Sequence, residues 1–445
     1  MKKQLTLWQR VLVAGTLFGM FFGAGNLIFP VHLGQCAGSN VVIATIGFII
    51  SAVCIPILAV AAIGNTHSDG LQALASKVGK GYGYGFTCLL YLTIGPFFAI
   101  PRCATTSFTV GVSPLLGEGA SQRLWLLIFS LVFFALVLIF SLRPNRITVW
   151  IGKIINPLFL FFFGILLIAA LTGSNADISA IAPEEGFREH VFFTSVIEGY
   201  GTMDAIAGLA FGIVVINIIR SMGIEDDSAV AGDVLRSGIL TGILMGAIYV
   251  AAIFMGAQSR ELFATSENGG IALAQIANHF LGFWGSLILA VTISFACLKT
   301  SIGLVISCSE AFSRMFPKGP GYCVYAIIFT LFSFCVSNFG LSAILSYSLP
   351  VLMFLYPLSI SLIVLALTGR LFDHDRAVYI SVTLFTGIAA LFDLAKTLPA
   401  GLQPEGMLRL GELILPFYDL NLGWVIPALL GLAIGLLIRG LRKKK

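Results

Sequence analysis

Long apolar runs dominate the chain and restrict it to very few architectures. About twelve runs of roughly twenty residues alternate with short charged or Gly-, Pro- and Asn-rich turns, and twenty apolar residues make a helix that crosses a bilayer. Of the 445 residues, 58% are hydrophobic and only 11% are charged, which is more apolar surface than a soluble core can bury. A backbone in lipid must also satisfy its own hydrogen bonds, as a helix does. The sequence therefore predicts an all-α polytopic membrane protein with about twelve transmembrane helices.

Charge placement between these runs predicts how the chain crosses the membrane. The predicted spans are residues 8–31, 41–63, 82–112, 124–142, 149–172, 193–219, 237–257, 281–312, 321–338, 343–367, 377–395 and 420–440. Most lysines and arginines fall on one side of this arrangement. The other side receives only a few, namely Arg123, Arg188, Arg260, Lys396 and Arg409. By the positive-inside rule, both termini are predicted to be cytoplasmic. The first span follows the N-terminus directly, so no removable signal peptide is predicted.

Several classes of function lack support in the sequence. The net charge of +5 comes from basic residues beside apolar spans, where they act as topology signals, so no nucleic-acid partner is expected. The chain has no HExxH motif, nucleophile elbow or phosphate loop, and we do not expect an enzyme or a bound cofactor. The eight cysteines lie mostly in apolar segments without metal-ligand spacing and are predicted to be free thiols. His67 and His190 fall in predicted loops and His32 at a span end, so we expect them to be solvated.

The first span carries the residues least able to sustain a helix. Residues 18–30 read Phe-Gly-Met-Phe-Phe-Gly-Ala-Gly-Asn-Leu-Ile-Phe-Pro, with Gly19, Gly23, Gly25 and Asn26 near mid-membrane depth. An unwound turn is tolerated in lipid only where its backbone groups meet protein, water or a ligand, so a break here predicts a cavity. The alternative is a set of small residues that lets two helices pack closely.

A second interruption favours the cavity and also predicts an internal repeat. In the sixth span, residues 198–204 read Glu-Gly-Tyr-Gly-Thr-Met-Asp and interrupt an apolar segment. The third and eighth spans also correspond, since each is long and carries a cation, Arg102 or Lys299. Because five is an odd number of spans, two such units cross the membrane in opposite directions and are inverted relative to each other. Many transporters have this arrangement. We therefore predict a first repeat over residues 1–172, an inverted second repeat over 173–367, and two additional helices over 368–445.

These motifs resemble a known family over nearly the whole chain. The most specific segments are residues 18–30, Gly-Pro-Phe-Phe-Ala-Ile-Pro-Arg at 95–102, residues 198–204 leading to Phe211 and Gly212, and Ala-Cys-Leu-Lys-Thr-Ser-Ile-Gly-Leu at 296–304. In this order they resemble the branched-chain amino acid:cation symporters of the LIVCS family, BrnQ type, in the amino acid/polyamine/organocation superfamily. Two positions depart from that pattern: Cys103 stands where Thr is usual, and Thr109 where Glu is common. Both departures bear on substrate range and on any charge relay through the third span.

The resemblance implies a LeuT-like fold of five plus five inverted spans with two helices added, broken in helices 1 and 6. It also implies import of leucine, isoleucine or valine with a cation across the bacterial inner membrane. Such a substrate needs N–H donors for its carboxylate, and those of Ala24, Gly25 and Asn26 lie at the positive end of a half-helix. Its ammonium needs carbonyl oxygens, expected from Phe22, Gly23, Gly199, Tyr200, Gly201 and Thr202.

The substrate's aliphatic side chain needs apolar walls. We expect them from Tyr200, Met203, Phe97 and Phe98, although for each of these alone ordinary core packing is the simpler interpretation.

Charged residues inside predicted spans need partners. Arg102, Glu198, Asp204 and Lys299 would each cost about 2.5–3.5 kcal/mol if they faced lipid, so all four should face the protein interior. They can neutralise one another as fixed ion pairs, contact the substrate, or, for Arg102, act as a gate.

The resemblance also implies a sodium site formed by Gly19, Phe22, Cys297, Thr300 and Ser301. Thr300 and Ser301 diverge by about 100° on a helix but can border one ion; alternatively, their hydroxyls only bond back to carbonyls one turn earlier. If the Lys299 or Lys153 ammonium enters this site, it replaces sodium and favours proton coupling.

Taken together, the sequence predicts a sodium-coupled secondary transporter of branched-chain amino acids. Alternatives within transport are proton coupling and a broader range of neutral amino acids. A channel or a non-transporting receptor on the same scaffold is a different class, and two local breaks rather than a continuous polar stripe disfavour it. Membrane lipid is the expected environment, and the sequence carries no signal for an oligomeric state.

Overall fold

The computed structural model describes residues 4–66, 70–116, 119–142, 147–174, 176–399 and 401–443, with the side chains of 147–156 and 443 left out. The predictions for His67 and for the Lys153 ammonium lie outside this description. Within the described residues the chain is helical and has no strand. The α-helices are α1 (Leu7–Phe21), α2 (Ala24–Ala37), α3 (Val41–Ile49), α4 (Ile55–Asn65), α5 (Leu71–Ala75), α6 (Lys80–Leu92), α7 (Ala99–Gly111), α8 (Gln122–Ser141), α9 (Ile147–Gly173), α10 (Val191–Tyr200), α11 (Asp204–Ser221), α12 (Asp227–Gln258), α13 (Gly269–Met315), α14 (Tyr322–Ser337), α15 (Leu341–Thr368), α16 (Arg376–Thr397), α17 (Glu405–Ile414) and α18 (Val425–Lys443).

The helices have the length and apolarity of membrane spans. Among the described residues, nine helical stretches are long and apolar enough to cross a bilayer, and three shorter apolar helices accompany them at Leu7–Phe21, Pro157–Gly173 and Tyr322–Ser337. Large apolar side chains remain exposed along these helices, such as Trp8, Ile243 and Leu331, as expected for surfaces that face lipid. The predicted class, an all-α multi-pass membrane protein, is confirmed.

Polar side chains set the ends of several helices, and Gly or Pro sets the irregular points. Thr6 and Gln9 form a capping box at the start of α1, and Asn268 caps α13. A π-helical turn, Thr93–Phe97, separates α6 from α7 where Pro96 cannot donate an N–H. The long α13 bends at Gly282, whose φ of 61° is left-handed. The predicted eighth span, which begins at residue 281, therefore starts at a bend of a longer helix.

Close backbone contacts hold α2 at the centre of the bundle. It packs against α12 and α13, and α13 in turn packs against α7 and α9. A Cβ on Gly34 would collide with the Ile253 carbonyl of α12, and one on Gly256 with the Val31 carbonyl of α2. A Cβ on Gly269, the first residue of α13, would likewise collide with a carbonyl of α2. Small residues thus bring α2 into backbone contact with both neighbours.

The last helices pack against α15 and against one another. Helix α16 packs against α15 and α18, and α17 packs against α16. A small apolar cluster of Phe392, Leu415, Tyr418 and Trp424 joins α16 to the segment after α17. The predicted division into two inverted repeats and two added helices stays a prediction.

Candidate functional site

The first interruption lies between α1 and α2. Helix α1 ends at Phe21, and Phe22 (φ −71°, ψ 101°) and Gly23 (φ −133°, ψ −161°) are extended before α2 begins at Ala24. The Gly23 N–H donates to the Asn26 side-chain oxygen at 2.9 Å, which fixes the start of α2. The first N–H groups of α2 therefore stand at the positive end of a helix dipole inside the bundle.

The second interruption lies between α10 and α11. Helix α10 ends at Tyr200, and α11 begins at Asp204 after a turn in which Met203 has a left-handed φ of 65°. A positive φ is costly for a residue with a side chain, so the surrounding structure must impose it. The Thr202 hydroxyl donates back to the Gly199 carbonyl at 2.9 Å. The strain at Met203 marks the turn as a structurally constrained point.

A hydrogen-bonded trio joins the two interruptions. The Asn26 amide donates to Asp204 Oδ2 at 2.6 Å and also to the Tyr249 hydroxyl, and that hydroxyl donates to Asp204 Oδ2 at 3.0 Å. All three side chains are buried, with Tyr249 coming from α12. Sequence reasoning predicted Asn26 and Asp204 but missed Tyr249, whose only signal is a hydroxyl within the apolar run of α12.

Arg102 occupies carbonyl oxygens of the second interruption. Its Nη1 donates to the Gly201 carbonyl at 2.5 Å and its Nη2 to the Thr202 carbonyl at 3.4 Å. The side chain is almost fully buried, and the Phe29 ring lies 5.4 Å from the guanidinium. The Gly199 and Tyr200 carbonyls are also used, since they accept from the backbone N–H groups of residues 202 and 203. All four carbonyls assigned to the substrate ammonium at this turn are therefore bonded within the protein.

The four charged residues predicted inside spans do not pair with one another. Within the described residues, Lys299 donates to the Gly19 carbonyl at 3.4 Å and Arg102 uses carbonyls, while Asp204 accepts from Asn26 and Tyr249. The partly exposed Glu198 lines a cavity on the other face of α10. Backbone carbonyls freed at the interruptions accept hydrogen bonds from both cations.

The five residues of the predicted sodium site lie near the first interruption but do not form a ready set of ligands. Thr300 donates its hydroxyl back to the Ala296 carbonyl at 3.1 Å, and its methyl faces Gly23. Ser301 is fully buried, and its hydroxyl has no partner among the described residues. Gly19 accepts from Lys299, Phe22 packs on Phe18 at a ring distance of 4.8 Å, and Cys297 is buried. The Lys299 ammonium thus contacts one of the expected sodium ligands.

Three cavities mark a route through the bundle. A central cavity of about 40 Å³ lies between the interruptions. On one side is a cavity of about 540 Å³ lined by Glu189, Glu198, Glu267 and Asp419, called here the acidic vestibule; on the other is one of about 380 Å³ beside Glu310 and Arg314. Small-molecule pockets enclose about 300 Å³ or more, so the central cavity is closed too tightly for an amino acid.

Phe29 separates the acidic vestibule from the centre. It lines the vestibule together with Gly201, its ring lies over Arg102, and a Cβ on Gly201 would collide with that ring. Phe29 was not among the predicted residues, because one phenylalanine in an apolar helix carries no distinguishing signal.

The predicted aromatic walls are placed elsewhere. Tyr200 stacks on Tyr356 at a ring distance of 4.0 Å, and Phe97 packs on Phe332 of α14 and against Phe98. Of the four side chains predicted to enclose the substrate, Met203 lines the central cavity as the structure describes it, and the others do not. The apolar residues that do line it are Met20, Phe21, Ala24, Ile94, Ala99, Cys103, Ala207, Phe211 and Leu304.

Hydrogen bonds and an ion pair hold the loop before α10. Glu184 accepts from the Thr265 hydroxyl and pairs with Arg260 at 2.9 Å, and Arg260 also donates to the Gln35 carbonyl at the end of α2. The Thr265 hydrogen bond, followed by the charge of Arg260, lowers the pKa of Glu184. His32, expected to be solvated, is instead half-buried and contacts the Ser266 carbonyl at 3.1 Å.

The fold and the site together define a class of protein. A multi-pass helical bundle with two facing interruptions around one closed central cavity, flanked by a larger cavity on each side, is the architecture of a membrane transporter. A family model described as branched-chain amino acid transport protein matches residues 8–442, and the chain belongs to this family of transporters, which are not enzymes.

Relatives match over essentially the full length. The chain is 48% identical over 445 residues, 100% of both chains, to the branched-chain amino acid permease BrnQ of Lactobacillus delbrueckii subsp. lactis. It is 39% identical over 444 residues, again 100% of both, to the permease BrnQ of Bacillus subtilis strain 168. To the permease BrnQ of Escherichia coli K12 it is 34% identical, over 98% of this chain and 97% of the relative.

Solved structures support the fold independently. The inward-facing conformation of Mhp1 aligns with a TM-score of 0.60 at 14% identity, over 96% of this chain and 90% of that one. A second structure shows Mhp1, described as a nucleobase-cation-symport-1 family transporter, in a closed conformation with bromovinylhydantoin bound. It gives a TM-score of 0.61 at 13% identity, over 96% of this chain and 91% of that one. At this identity the likeness concerns the fold alone, and it agrees with the expected LeuT-like architecture.

Proposed function

We propose that this protein is a secondary active symporter that imports leucine, isoleucine and valine by alternating access. The observation that carries the proposal is the 2.6 Å hydrogen bond from Asn26 to Asp204, which brings the start of α2 to the start of α11 beside the central cavity. The full-length match to branched-chain amino acid permeases supports the substrate class. We further propose twelve spans, broken in the first and sixth, with both termini cytoplasmic in the bacterial inner membrane.

The substrate is proposed to lie between the two interruptions. Its carboxylate would accept from N–H groups at the start of α2, near Gly25, where the dipole is positive. Its ammonium would take the carbonyls of Gly201 and Thr202. Its side chain would enter the apolar lining that includes Ile94, Phe211 and Leu304. This placement moves the walls from the expected Phe97 and Phe98 to residues deeper in the bundle.

Alternating access fits the cavities on either side. The acidic vestibule reaches Phe29 and Gly201, while the opposite cavity begins near Ala210 and Ser307, within a turn or two of central-cavity residues on the same helices. Because the centre is closed to amino acids, each larger cavity is proposed to open to it in turn. A channel would need a continuous route of similar width, and the 40 Å³ centre argues against one.

The coupling ion is proposed to be sodium, bound near Gly19, Phe22, Cys297, Thr300 and Ser301. The free, buried Ser301 hydroxyl supports this choice, because an unpaired buried oxygen is available to a cation. One observation favours a second candidate, proton coupling: the Lys299 ammonium already donates to Gly19. A lysine that contacts a cation ligand can supply the charge itself and release a proton instead.

One experiment tests the proposed function and distinguishes sodium coupling from proton coupling. Purified protein in liposomes is given radiolabelled leucine with an inward sodium gradient alone, an inward proton gradient alone, or neither. Sodium coupling predicts accumulation in the first condition and proton coupling in the second. Equal efflux and influx without accumulation in all three would overturn active symport. Inhibition of leucine uptake by other neutral amino acids measures how broad the substrate range is.

A further inference from the structure

We propose that Arg102 is a built-in substitute for the substrate ammonium, which fills the Gly201 and Thr202 carbonyls in the empty carrier and leaves them when substrate enters. The inference rests on the proposed function, because it concerns the same central site. It assigns Arg102 a role in returning the unloaded carrier, and not in holding the substrate.

The geometry shows that Arg102 and a substrate cannot share the site. The guanidinium nitrogens lie 2.5 Å from the Gly201 oxygen and 3.4 Å from the Thr202 oxygen, where a substrate ammonium would donate. The same group presses on the start of α2, since a Cβ built on Gly25 would stand 2.5 Å from Nη2. Arg102 therefore covers both the carbonyl pair and the N–H groups proposed for the carboxylate, and only about 40 Å³ remains.

The bonding of Arg102 indicates a displaceable group more than a permanent structural one. It has no ion pair among the described residues, and its buried Nε has no hydrogen-bond partner there. Asp204, the adjacent carboxylate, is bonded to Asn26 and Tyr249 instead. A buried guanidinium that served only to stabilise the fold would be expected to use its planar fork on a carboxylate.

A route for the displaced side chain is present. The guanidinium lies against Phe29, and Phe29 and Glu198 both line the acidic vestibule. Movement past the ring would bring the guanidinium from the two backbone carbonyls to the carboxyl group of Glu198. The substrate ammonium then pairs with the carbonyls that Arg102 has left, so these carbonyls keep a cationic donor.

The consequence concerns the empty carrier. A symporter that imports net substrate must reorient without it, and closing the centre would then bury carbonyl oxygens without donors, which is costly. Arg102 supplies those donors. Exchange of internal for external substrate needs only the loaded carrier, so it does not need Arg102 at the carbonyls.

The test compares two transport assays on the same liposomes. Leucine counterflow, with equal ions on both sides, measures exchange, and gradient-driven uptake measures net import. For Arg102→Ala we expect counterflow within about threefold of the unmodified protein and net uptake reduced about tenfold or more, since unpaired buried polar groups cost enough for that factor. Millimolar guanidinium should restore part of the net uptake. Arg102→Gln retains an amide donor, so its net uptake should lie between that of the unmodified protein and that of Arg102→Ala. The control is Arg123→Ala, at an exposed arginine near the start of α8, which should change neither assay.

Each other outcome contradicts the proposal. Equal loss of both assays in well-folded Arg102→Ala and Arg102→Gln, judged by monodisperse elution in detergent, would show that Arg102 holds the substrate. No change in either assay, or no rescue by guanidinium, would show that it does not serve the empty carrier. If the unmodified protein itself showed no leucine counterflow, the proposed function would fail, which is a separate result.

Discussion

The side-chain amide of Asn26 lies 2.6 Å from Asp204 Oδ2, so the first turn of α2 is bonded to the first turn of α11. The same Asn26 side chain accepts from the Gly23 N–H. One residue therefore fixes the extended segment before α2 and also its distance from the second interruption. Buried polar networks of this kind specify one arrangement when every member is bonded.

Removing Asn26 should loosen both interruptions at once. Asn26→Ala leaves the Gly23 N–H without its acceptor and takes one donor from Asp204, and each lost partner costs about 1–3 kcal/mol when buried. We expect a lower unfolding temperature in detergent and leucine uptake reduced by at least about tenfold. Tyr249→Phe removes one donor from Asp204 and one acceptor of the Asn26 amide but leaves the bonds from Asn26 to Asp204 and from Gly23 to Asn26 in place, so it should have the smaller effect on both measurements. A larger effect of Tyr249→Phe would contradict this order.

Gly25→Ala should abolish uptake while the protein remains in the membrane. Its added methyl would stand 2.5 Å from Arg102 Nη2, so the guanidinium must move, and the same methyl would crowd the proposed carboxylate position. Membrane abundance and leucine uptake are measured together. Gly15→Ala in α1 is the matched control, because a Cβ there meets nothing within 4 Å, and it should leave both quantities unchanged. Joint loss of abundance and uptake in Gly25→Ala would favour simple helix packing.

Competition should follow the apolar character of the cavity. Leucine, isoleucine and valine should inhibit one another's uptake, whereas lysine and glutamate should not, because a charged side chain would lose its hydration among Ile94, Phe211 and Leu304 without a partner. The measurement is inhibition of radiolabelled leucine uptake by an excess of each unlabelled amino acid. Inhibition by lysine as strong as that by isoleucine would refute the assignment of the apolar wall.

Coupling should depend on the hydroxyls of α13. Thr300→Ala combined with Ser301→Ala should weaken the dependence of leucine uptake on external sodium, seen as a rise in the sodium concentration that gives half-maximal uptake. Ser301 should contribute more, since Thr300 already bonds back to Ala296. Lys299→Gln tests the alternative of proton coupling. If the lysine carries the proton, this variant should abolish uptake driven by a pH gradient. Sodium-independent, pH-driven uptake by the unmodified protein would overturn the sodium site.

Glu184 should make stability depend on pH. Its pKa is lowered in the folded protein by Thr265 and Arg260 from an ordinary value of 4.5. A lowered pKa contributes stability above the unfolded pKa, and that contribution is lost as pH falls through the folded value. Glu184→Gln should therefore lower the unfolding temperature at neutral pH, and its difference from the unmodified protein should shrink below about pH 4.5. Glu185→Gln, at the exposed neighbour, should show no such difference.

Much of the fold was predictable because lipid leaves few options. The apolar runs predict helices without strands, and glycine with asparagine at residues 19–26 indicates where the first span is extended, at Phe22 and Gly23. The partners of Arg102 and Lys299 were not predictable, because the sequence does not show which carbonyls a turn leaves free. Tyr249 and Phe29 were missed for a related reason: an aromatic residue in an apolar helix becomes informative only when the neighbour it contacts is known.

The walls of the cavity show most directly what could not be predicted from the sequence. Phe97 and Phe98 were expected as wall residues because they are aromatic residues of the third span, and the structure places them beside an irregular turn at Gly95. The turn instead directs Phe97 to Phe332 of α14. Ala99 and Arg102, a few residues further along, reach the centre. Which residues face inward after a π-helical turn depends on the angle of that turn, and residue type alone does not encode the angle.

The backbone contacts at Gly34 and Gly256 determine which parts of the protein can move together. Helices that touch through carbonyls and glycines have no side chains that can change rotamer to let them slide. We therefore expect α2 and α12 to move as one rigid unit in which neither helix slides along the other. Phe22 and Gly23, which are extended and held by the Phe22 N–H bond to the Phe18 carbonyl and the Gly23 N–H bond to Asn26, then form the link between this unit and α1.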